Sequence, residues 1–595
     1  MFKARTVLLH TCVKSRAARQ RLHVSASRAG EETAAILSRI QRAICISQPI
    51  PQQSAELRIK GHGMYLGMQC QWAIWYQPLN GAFIESIKSN QLSFKYGHPG
   101  CSRGRRPLQP SWAIEQDGLP KEYKLDDHEA LLLTSWVRTS FFCNELAQQH
   151  LDIEHVTYSS DQGLEHEGLK DEKECQGPGP KVVVLRLRLN TGKLDAFLLV
   201  CAETWRPQQL SLRMCGQPEL RTYQDWTKGR AVGVGDQGQA LATNHDSTVM
   251  FPLRSSNDSG VYGRNTFTAE EFIWDYSQRS AEAFATPAWP MQPQDTHFSD
   301  AQDPGCCPAW WTASGHVLVS PSINNQGELG YFILDTGASG CVIGKEAADR
   351  LGLQRFGGMA VSGMAGRLES CFRRADSLQL GPVTISNCLF MEMDVGNLIR
   401  GAPGKVIGIV GYDIFRRSIL TLPAPSTASR SGSEQVQLTM HNPASRHLYD
   451  ASLQWQTVHM VSNLPHITVR LPGTDVGTGK REALLMVDLG ASGIDIIFHS
   501  KAVKELGLQD LPKAGAIQLK GVGGAHAVAV TMRSSKMAYV EMGGATLHDV
   551  RCMLTEAAGG PDFSVHAHGT LCAGLLARCT TIFDFAHHRM ACIQE

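Results

Sequence analysis

Between residues 55 and 290 the hydrophobic positions come in short runs, "AELRIKGHGMYLGM", "VVVLRLRL" and "DAFLLVCAETW", broken by Gly, Pro, Asn and Asp rather than spread at helical spacing. Runs of that length and punctuation predict strands. Residues 50–290 therefore read as one mostly-β domain. One helix is expected inside it, at "DDHEALLLTSWVRTSFFCN", where Asp126 or Asp127 would cap an apolar-periodic stretch. The acidic "EHEGLKDEKE" at 165–174 reads as a solvated insertion.

Beyond residue 290 the same kind of strand pattern occurs twice. "HVLVSPSINNQGELGYFILDTGASGCVIGKEAADRLGL" from 316 is echoed by "HITVRLPGTDVGTGKREALLMVDLGASGIDIIFHSKAVKELGL" from 466. Each copy has a strand pattern, a polar turn, an apolar strand, a D-x-G-A-S-G turn, another apolar run and a short helix ending in Leu-Gly-Leu. A Gly-rich pair follows in both, "VSGMAG" at 361 and "KGVGGAH" at 520. The copies also end alike: "GIVGYDIFRRSILTL" at 408 is in step with "GTLCAGLLARCTTIFDF" at 569, and each follows its acid, Asp335 or Asp488, at a similar separation. A repeated unit changes what any motif inside it means. Pro-rich and polar segments at 285–305 and 423–435 read as linkers. The expected division is a leader at 1–45, the β-domain at 50–290, a linker at 291–311, a first lobe at 312–423, a linker at 424–454 and a second lobe at 455–595.

Composition removes several classes of function. A net charge of +1 over 595 residues supplies no field for nucleic acid, so no nucleic-acid partner is expected. No apolar run approaches the roughly 20 residues of a membrane helix, and none is expected to span a bilayer. The 17 cysteines are odd in number and form no CxxC pairs. Neither a disulfide framework nor zinc is indicated. Cys306-Cys307 and the "HAH" at 566–568 lack ligands at regular spacing, so metal: none, and cofactor: none. The segment Met1–Gly30 is rich in Lys and Arg, and the first acids of the chain are Glu31-Glu32, which is transit-peptide composition. A mitochondrial address is favoured over a plastid one, and a cytoplasmic location is the remaining choice. Residues 1–45 are expected to be disordered.

The Asp335-Thr336-Gly337-Ala338 turn, its apolar flanks, the Gly-rich segment and the apolar-apolar-Gly segment at 408–411 resemble the retropepsin-like aspartic proteases, and Asp488-Leu489-Gly490-Ala491 repeats the pattern in part. The resemblance covers roughly 312–595 and implies a mainly-β fold class: two tandem retropepsin-like acid-protease lobes behind a mostly-β N-terminal domain. In such a family two lobes meet across a two-fold axis and their aspartates share one water. The resemblance thus implies catalytic roles for Asp335 and Asp488, acting on a polypeptide substrate through intramolecular pairing of the lobes, with a homodimer as another arrangement. The residue types fit that chemistry. Two carboxyls within hydrogen-bond reach hold one proton between them, so one serves as base and the other as acid. Gly337 and Gly490 permit close approach of the two loops. Thr336 is expected to hydrogen-bond across to the partner loop, with Ala338 and Ala491 beside the acids, and Ser362, Gly363, Gly366, Gly521, Gly523 and Gly524 are expected in substrate-covering flaps.

Two motifs mislead. Asp258-Ser259-Gly260 lies among polar residues and reads as a turn, and "GVGDQG" at 233–238 lacks the strand and helix of a dinucleotide site. The second copy also departs from the pattern, with Leu489 in place of the threonine and Cys572 in place of the glycine at 411. A catalytically dead peptide-binding or scaffold protein is therefore the alternative function, as is a carrier using the N-terminal domain. That domain's layout resembles the lipoprotein-carrier type of curved sheet around a helix, which binds acyl chains or peptides.

Overall fold

The structure is a computed structural model that describes residues 31–44, 56–77, 80–101, 108–116, 118–139, 149–156, 182–214, 217–229, 233–234, 240–241, 249–259, 263–275, 280–299, 304–327, 329–363, 366–396, 399, 402–426, 434–445, 453–473, 481–512, 514–519, 530–555 and 564–594. The acidic segment at 165–174 and most of "GVGDQG" lie outside them.

Alternation builds the N-terminal region. In the strand Met68–Gln77, Met68, Cys70, Trp72, Ile74 and Tyr76 are buried while Gln69 and Gln71 are exposed. Strands run as an antiparallel meander from Glu56–Tyr65 to Pro120–Tyr123, and Glu56–Tyr65 also pairs with Gly263–Asp275, the last strand of the region. The outermost strands of this sheet are Pro120–Tyr123 and Leu151–Val156. These two strands flank helix α2 (Leu125–Thr139) in sequence. The helix therefore carries the chain from one side of the sheet to the other. Its side chains are buried nearly all round, Leu132, Leu133 and Trp136 completely, as a helix enclosed by a sheet requires. The Arg138 guanidinium forks onto Glu85 at 3.1 and 2.7 Å, so its buried charge is paired.

Two expectations change here. Residues 31–44, expected to be disordered leader, form helix α1, whose Ile36, Ile40 and Ile44 pack into this same core. Their i, i+4, i+8 spacing is an apolar helical stripe, overlooked beside the basic composition that precedes it. Asp126 and Asp127 do not act as caps: both lie within the first turn of α2 and bind the C-terminal half of the chain. Asp126 accepts from the Val565 N–H at 2.7 Å and Asp127 from the Ser462 hydroxyl at 2.7 Å. Glu129 similarly meets His566. The Asp258-Ser259 pair ends a strand, opposite Arg264 and Gly263 in a hairpin.

In the C-terminal half, both copies of the repeat fold alike. Tyr331–Leu334 runs parallel to Val406–Val410, which Cys341–Ile343 flanks antiparallel on its other side. Arg481–Asp488, Gly569–Cys572 and Ile496–Phe498 repeat the arrangement. Gly408 and Gly569 fall at equivalent registers, and a Cβ there would lie 2.4 Å from the Val342 carbonyl or 2.2 Å from the Ile497 carbonyl. One alignment needs correcting: Leu318 lies opposite Ile333 while His466 lies opposite Met486, so His466 corresponds to Leu318 and Leu464 to His316.

A shared sheet joins the copies, in the order Gln456–Val461, Arg589–Ile593, Thr580–Asp584, Ile419–Leu422, Glu434–His441, Gly305–Trp311. Gly411 corresponds to Cys572, hence Leu420, Thr421 and Leu422 to Thr581, Ile582 and Phe583. The central pairs are Leu420 with Phe583, Thr421 with Ile582 and Leu422 with Thr581. Exchanging the copies maps this set onto itself, so the pairing has a pseudo-two-fold centre at Thr421 and Ile582. The segments expected as linkers supply outer strands of the sheet. Within 291–311, Cys307, Ala309 and Trp311 are buried in alternation, and within 424–454 the strand Glu434–His441 pairs with them. Proline and polar residues on the outward positions concealed that period.

Candidate active site

Asp335 follows the strand Tyr331–Leu334, and its N–H donates to the Val410 carbonyl at 3.0 Å. Asp488 is the last residue of the equivalent strand, paired with Cys572. Both acids turn inward at the glycine that follows. A Cβ on Gly337 would lie 2.4 Å from Asp488 Oδ1, and one on Gly490 would lie 2.3 Å from Asp335 Oδ2. Each carboxyl thus lies over the other loop's glycine. Only glycine at these positions leaves that space open.

Backbone donors converge on the pair. Asp335 Oδ1 accepts from the N–H groups of Gly337 at 2.7 Å and Gly490 at 3.0 Å. Asp488 Oδ1 accepts from Gly490 at 2.8 Å and Ala491 at 2.9 Å. The Gly490 N–H is common to both. Burial raises the pKa of Asp335, and the donors at Gly337, the Asp488 carboxyl and Gly490 oppose it. Burial, then the neighbouring Asp335 charge, pushes Asp488 well above the usual carboxylate range. A pair so placed titrates as a unit, holding one proton between the two carboxyls where a lone surface carboxyl would have lost it.

Two segments of the chain, 319–414 and 474–576, match the family model described as "Aspartyl protease". A pepsin- or retropepsin-like aspartic-protease domain occurs twice in this chain. No curated protein matches it. Among solved structures, the crystal structure of basic 7S globulin from soybean is 11% identical over 49% of this chain and 95% of that one, at a TM-score of 0.31, a likeness too slight to carry an argument.

The two aspartic-protease domains brace each other unequally. The buried Thr336 hydroxyl donates to the Val487 carbonyl at 2.8 Å and accepts from the Leu489 N–H at 3.0 Å. Leu489 has no hydroxyl to return the contact, and its side chain is fully buried in the shared core. Cys572 does less damage than its position suggests. A Cβ at Gly411 would lie 2.4 Å from the Gly340 carbonyl. The thiol is nevertheless accommodated in the second domain, and Ala573 N–H still reaches the Ala491 carbonyl at 2.8 Å, as Tyr412 N–H reaches Ala338 at 3.0 Å.

Two contacts had no signal in the motif. The ring of His316 lies 3.1 Å from the Ser492 hydroxyl through Nε2. From the other side, the Asn463 side-chain amide donates to the Ser339 carbonyl at 3.3 Å, while its oxygen accepts from Lys121 of the N-terminal region at 2.7 Å. Each domain's turn therefore touches the other's acid-bearing loop.

Of the expected flap residues, Ser362, Gly363 and Gly366 form the closed end of the hairpin Arg355–Gly363 and Gly366–Arg374. The base of that hairpin is held by the N-terminal region: Gly358 N–H donates to the Leu66 carbonyl at 2.7 Å and Arg374 to that of Gln91 at 2.8 Å. Gly521, Gly523 and Gly524 lie outside the described residues, between the paired strands Ala516–Leu519 and Val530–Met542. The "HAH" histidines have structural partners, Glu129 for His566 and the Leu484 N–H for His568. Among the described residues no cluster of three or more His, Cys, Asp or Glu is arranged to hold a metal ion, and no helix is long and apolar enough to cross a membrane.

Proposed function

We propose that this chain is an aspartic endopeptidase whose single active site is shared by the two domains, with Asp335 and Asp488 holding one proton between them, one as base and the other as acid. The observation that carries this reading is the mutual placement of the two carboxyls, each over the opposite loop's glycine and both accepting from the Gly490 N–H. The ionised carboxyl takes a proton from a water whose oxygen attacks the scissile carbonyl carbon. The protonated carboxyl gives its proton to the carbonyl oxygen. As the tetrahedral diol collapses, one of its hydroxyls returns a proton to the ionised carboxyl while the C–N bond breaks and the leaving amine takes the proton held by the other carboxyl, so the pair regains its starting state. Intramolecular pairing makes a second chain unnecessary for the site. The basic, acid-free segment Met1–Gly30 supports an organelle address for the activity, the mitochondrion ahead of the plastid.

A second reading is favoured by the unequal loops: a protease-like domain pair that binds peptides without cutting them. Leu489 and the replacement of a close-packed glycine by Cys572 both fall in the second domain. The carrier reading asks for room inside the N-terminal sheet, where Leu132, Leu133 and Trp136 of α2 are packed. Incubating the purified protein with a library of unstructured peptides and sequencing the products separates the first two readings. Cleavage abolished by Asp335→Asn supports the peptidase. Peptide retention without products at any pH from 3 to 8 supports the binder.

A further inference from the structure

We propose that Lys121 and Asn463 are positioning residues through which the N-terminal region fixes the acid-bearing loop of the first domain, making that region a working part of the active site. The proposal rests on the shared-dyad reading above. It begins at the hairpin joining Gln456–Val461 to Leu464–Leu471, where Val461 pairs with Leu464 and the turn is Ser462 and Asn463 alone. Both are left-handed, at φ 49° and 64°, as a tight two-residue hairpin turn requires. The N-terminal region grips both. Asp127 of α2 accepts from the Ser462 hydroxyl at 2.7 Å, and the Lys121 ammonium donates to the Asn463 side-chain oxygen at 2.7 Å. An ammonium only donates and a carbonyl only accepts, so the amide serves both in one orientation, its oxygen toward Lys121 and its nitrogen toward the Ser339 carbonyl at 3.3 Å. The lysine thus sets which way the amide faces.

A second route leaves from the same lysine. Its ammonium lies 5.7 Å from the centre of the Tyr412 ring, within cation–π range, and the Tyr412 N–H donates to the Ala338 carbonyl at 3.0 Å. Successive carbonyls of the first loop, those of Ala338 and Ser339, are each held by a residue that Lys121 touches. The same loop's Gly337 N–H donates to Asp335 Oδ1 at 2.7 Å, so anchoring its far end bears on where the acid sits. Lys121 is itself buried and paired with Glu115 at 2.7 Å. The second domain shows what the amide adds. Gly315 stands where Asn463 does, left-handed at φ 86°, and a Cβ there would lie 3.7 Å from that of Ser492. Glycine meets the needs of the turn. The first loop is tied to the N-terminal region through a side chain that the counterpart position lacks.

The test uses full-length protein in three forms. Asn463→Gly keeps the left-handed turn and removes the amide, Lys121→Met keeps a chain of similar length and removes the ammonium, and Lys121→Met with Glu115→Gln also removes the carboxylate left behind. Each is expected to lower kcat roughly three- to tenfold, the effect of about one hydrogen bond, with KM within about twofold. Hydrogen exchange read residue by residue supplies a measure that general destabilisation would not move selectively. The Tyr412 N–H should exchange roughly three- to tenfold faster, while its counterpart in the second domain, the Ala573 N–H on the Ala491 carbonyl, should keep its native rate. Native kcat in Asn463→Gly or in the double variant, a loss confined to KM, equal acceleration at Tyr412 and Ala573, or no acceleration at Tyr412 overturns the proposal. If the native protein cleaves nothing, the peptidase reading fails, and the exchange rates still decide whether Lys121 and Asn463 hold the first loop.

Discussion

The loops at 335–339 and 488–492 carry the same acid-x-Gly-Ala-Ser sequence and make the same turn, yet they are held in place by different means. The first loop reaches across with the Thr336 hydroxyl and satisfies two backbone groups of the second. The second loop presents a leucine to the core and is secured by the Gly490 and Ala491 N–H groups on Asp488 and by the contact of the Ser492 hydroxyl with His316. In a symmetric dimer each loop must perform every task, because one gene supplies both. A duplication within one chain removes that constraint, and one threonine can serve the pair. The copy that lacks its own brace keeps its acid, and burial raises the pKa of both acids. Loss of a motif residue is therefore not equivalent to loss of the site.

The largest effects should come where the loops are still equivalent. Gly337→Ala and Gly490→Ala each place a methyl within 2.4 Å of the opposite carboxyl. Either should lower turnover at least about 100-fold by displacing an acid, with KM little changed. A large loss from only one of the two would mean that the carboxyls are not mutually placed.

Next comes the brace, where the loops should differ most. Thr336→Val leaves the Val487 carbonyl and the Leu489 N–H buried without their partner. Urea unfolding should show a loss of about 2–4 kcal/mol. Leu489→Thr sets a new hydrogen bond of about 1 kcal/mol against lost burial of similar or greater size. The native protein and this variant should agree within about 1–2 kcal/mol. Equal losses from both substitutions would show that the brace is not one-sided.

A smaller effect is expected in pH dependence. A carboxyl whose folded pKa lies above its unfolded value near 3.8 binds its proton more tightly when folded. Its contribution to stability is fully present below that value and is lost as pH rises through the folded pKa. The activity bell should accordingly extend into mildly acidic or neutral pH. Ala338→Ser and Ala491→Ser, which bring hydroxyl donors near the acids, should shift its alkaline limb down by roughly half to one unit. An unshifted limb in the double variant would mean that the added hydroxyls do not reach the pair.

Much of this comparison was legible in the sequence because it is local. The acid turns, Gly408 and Gly569 recur at similar spacing, and similar spacing produced equal register. The linkers misled because composition was weighed above period: Cys307, Ala309 and Trp311 alternate correctly, with Pro308 and Cys306 facing outward. The partners of Asp126 and Asp127, Val565 and Ser462, lie in the far half of the chain, so no local pattern holds them. The same is true of His316 and Ser492, which meet only after the two domains close on each other.

The central claim is that one site draws an acid from each unequal domain. It is tested most directly by peptide cleavage with Asp335→Asn and Asp488→Asn, measured singly and as a mixture of the two proteins. The account predicts that each substitution alone reduces cleavage at least about 1,000-fold and that mixing restores nothing, since both acids must reside in one chain. Full activity in Asp488→Asn, or recovery of activity on mixing, would contradict it and assign catalysis to acids paired between chains.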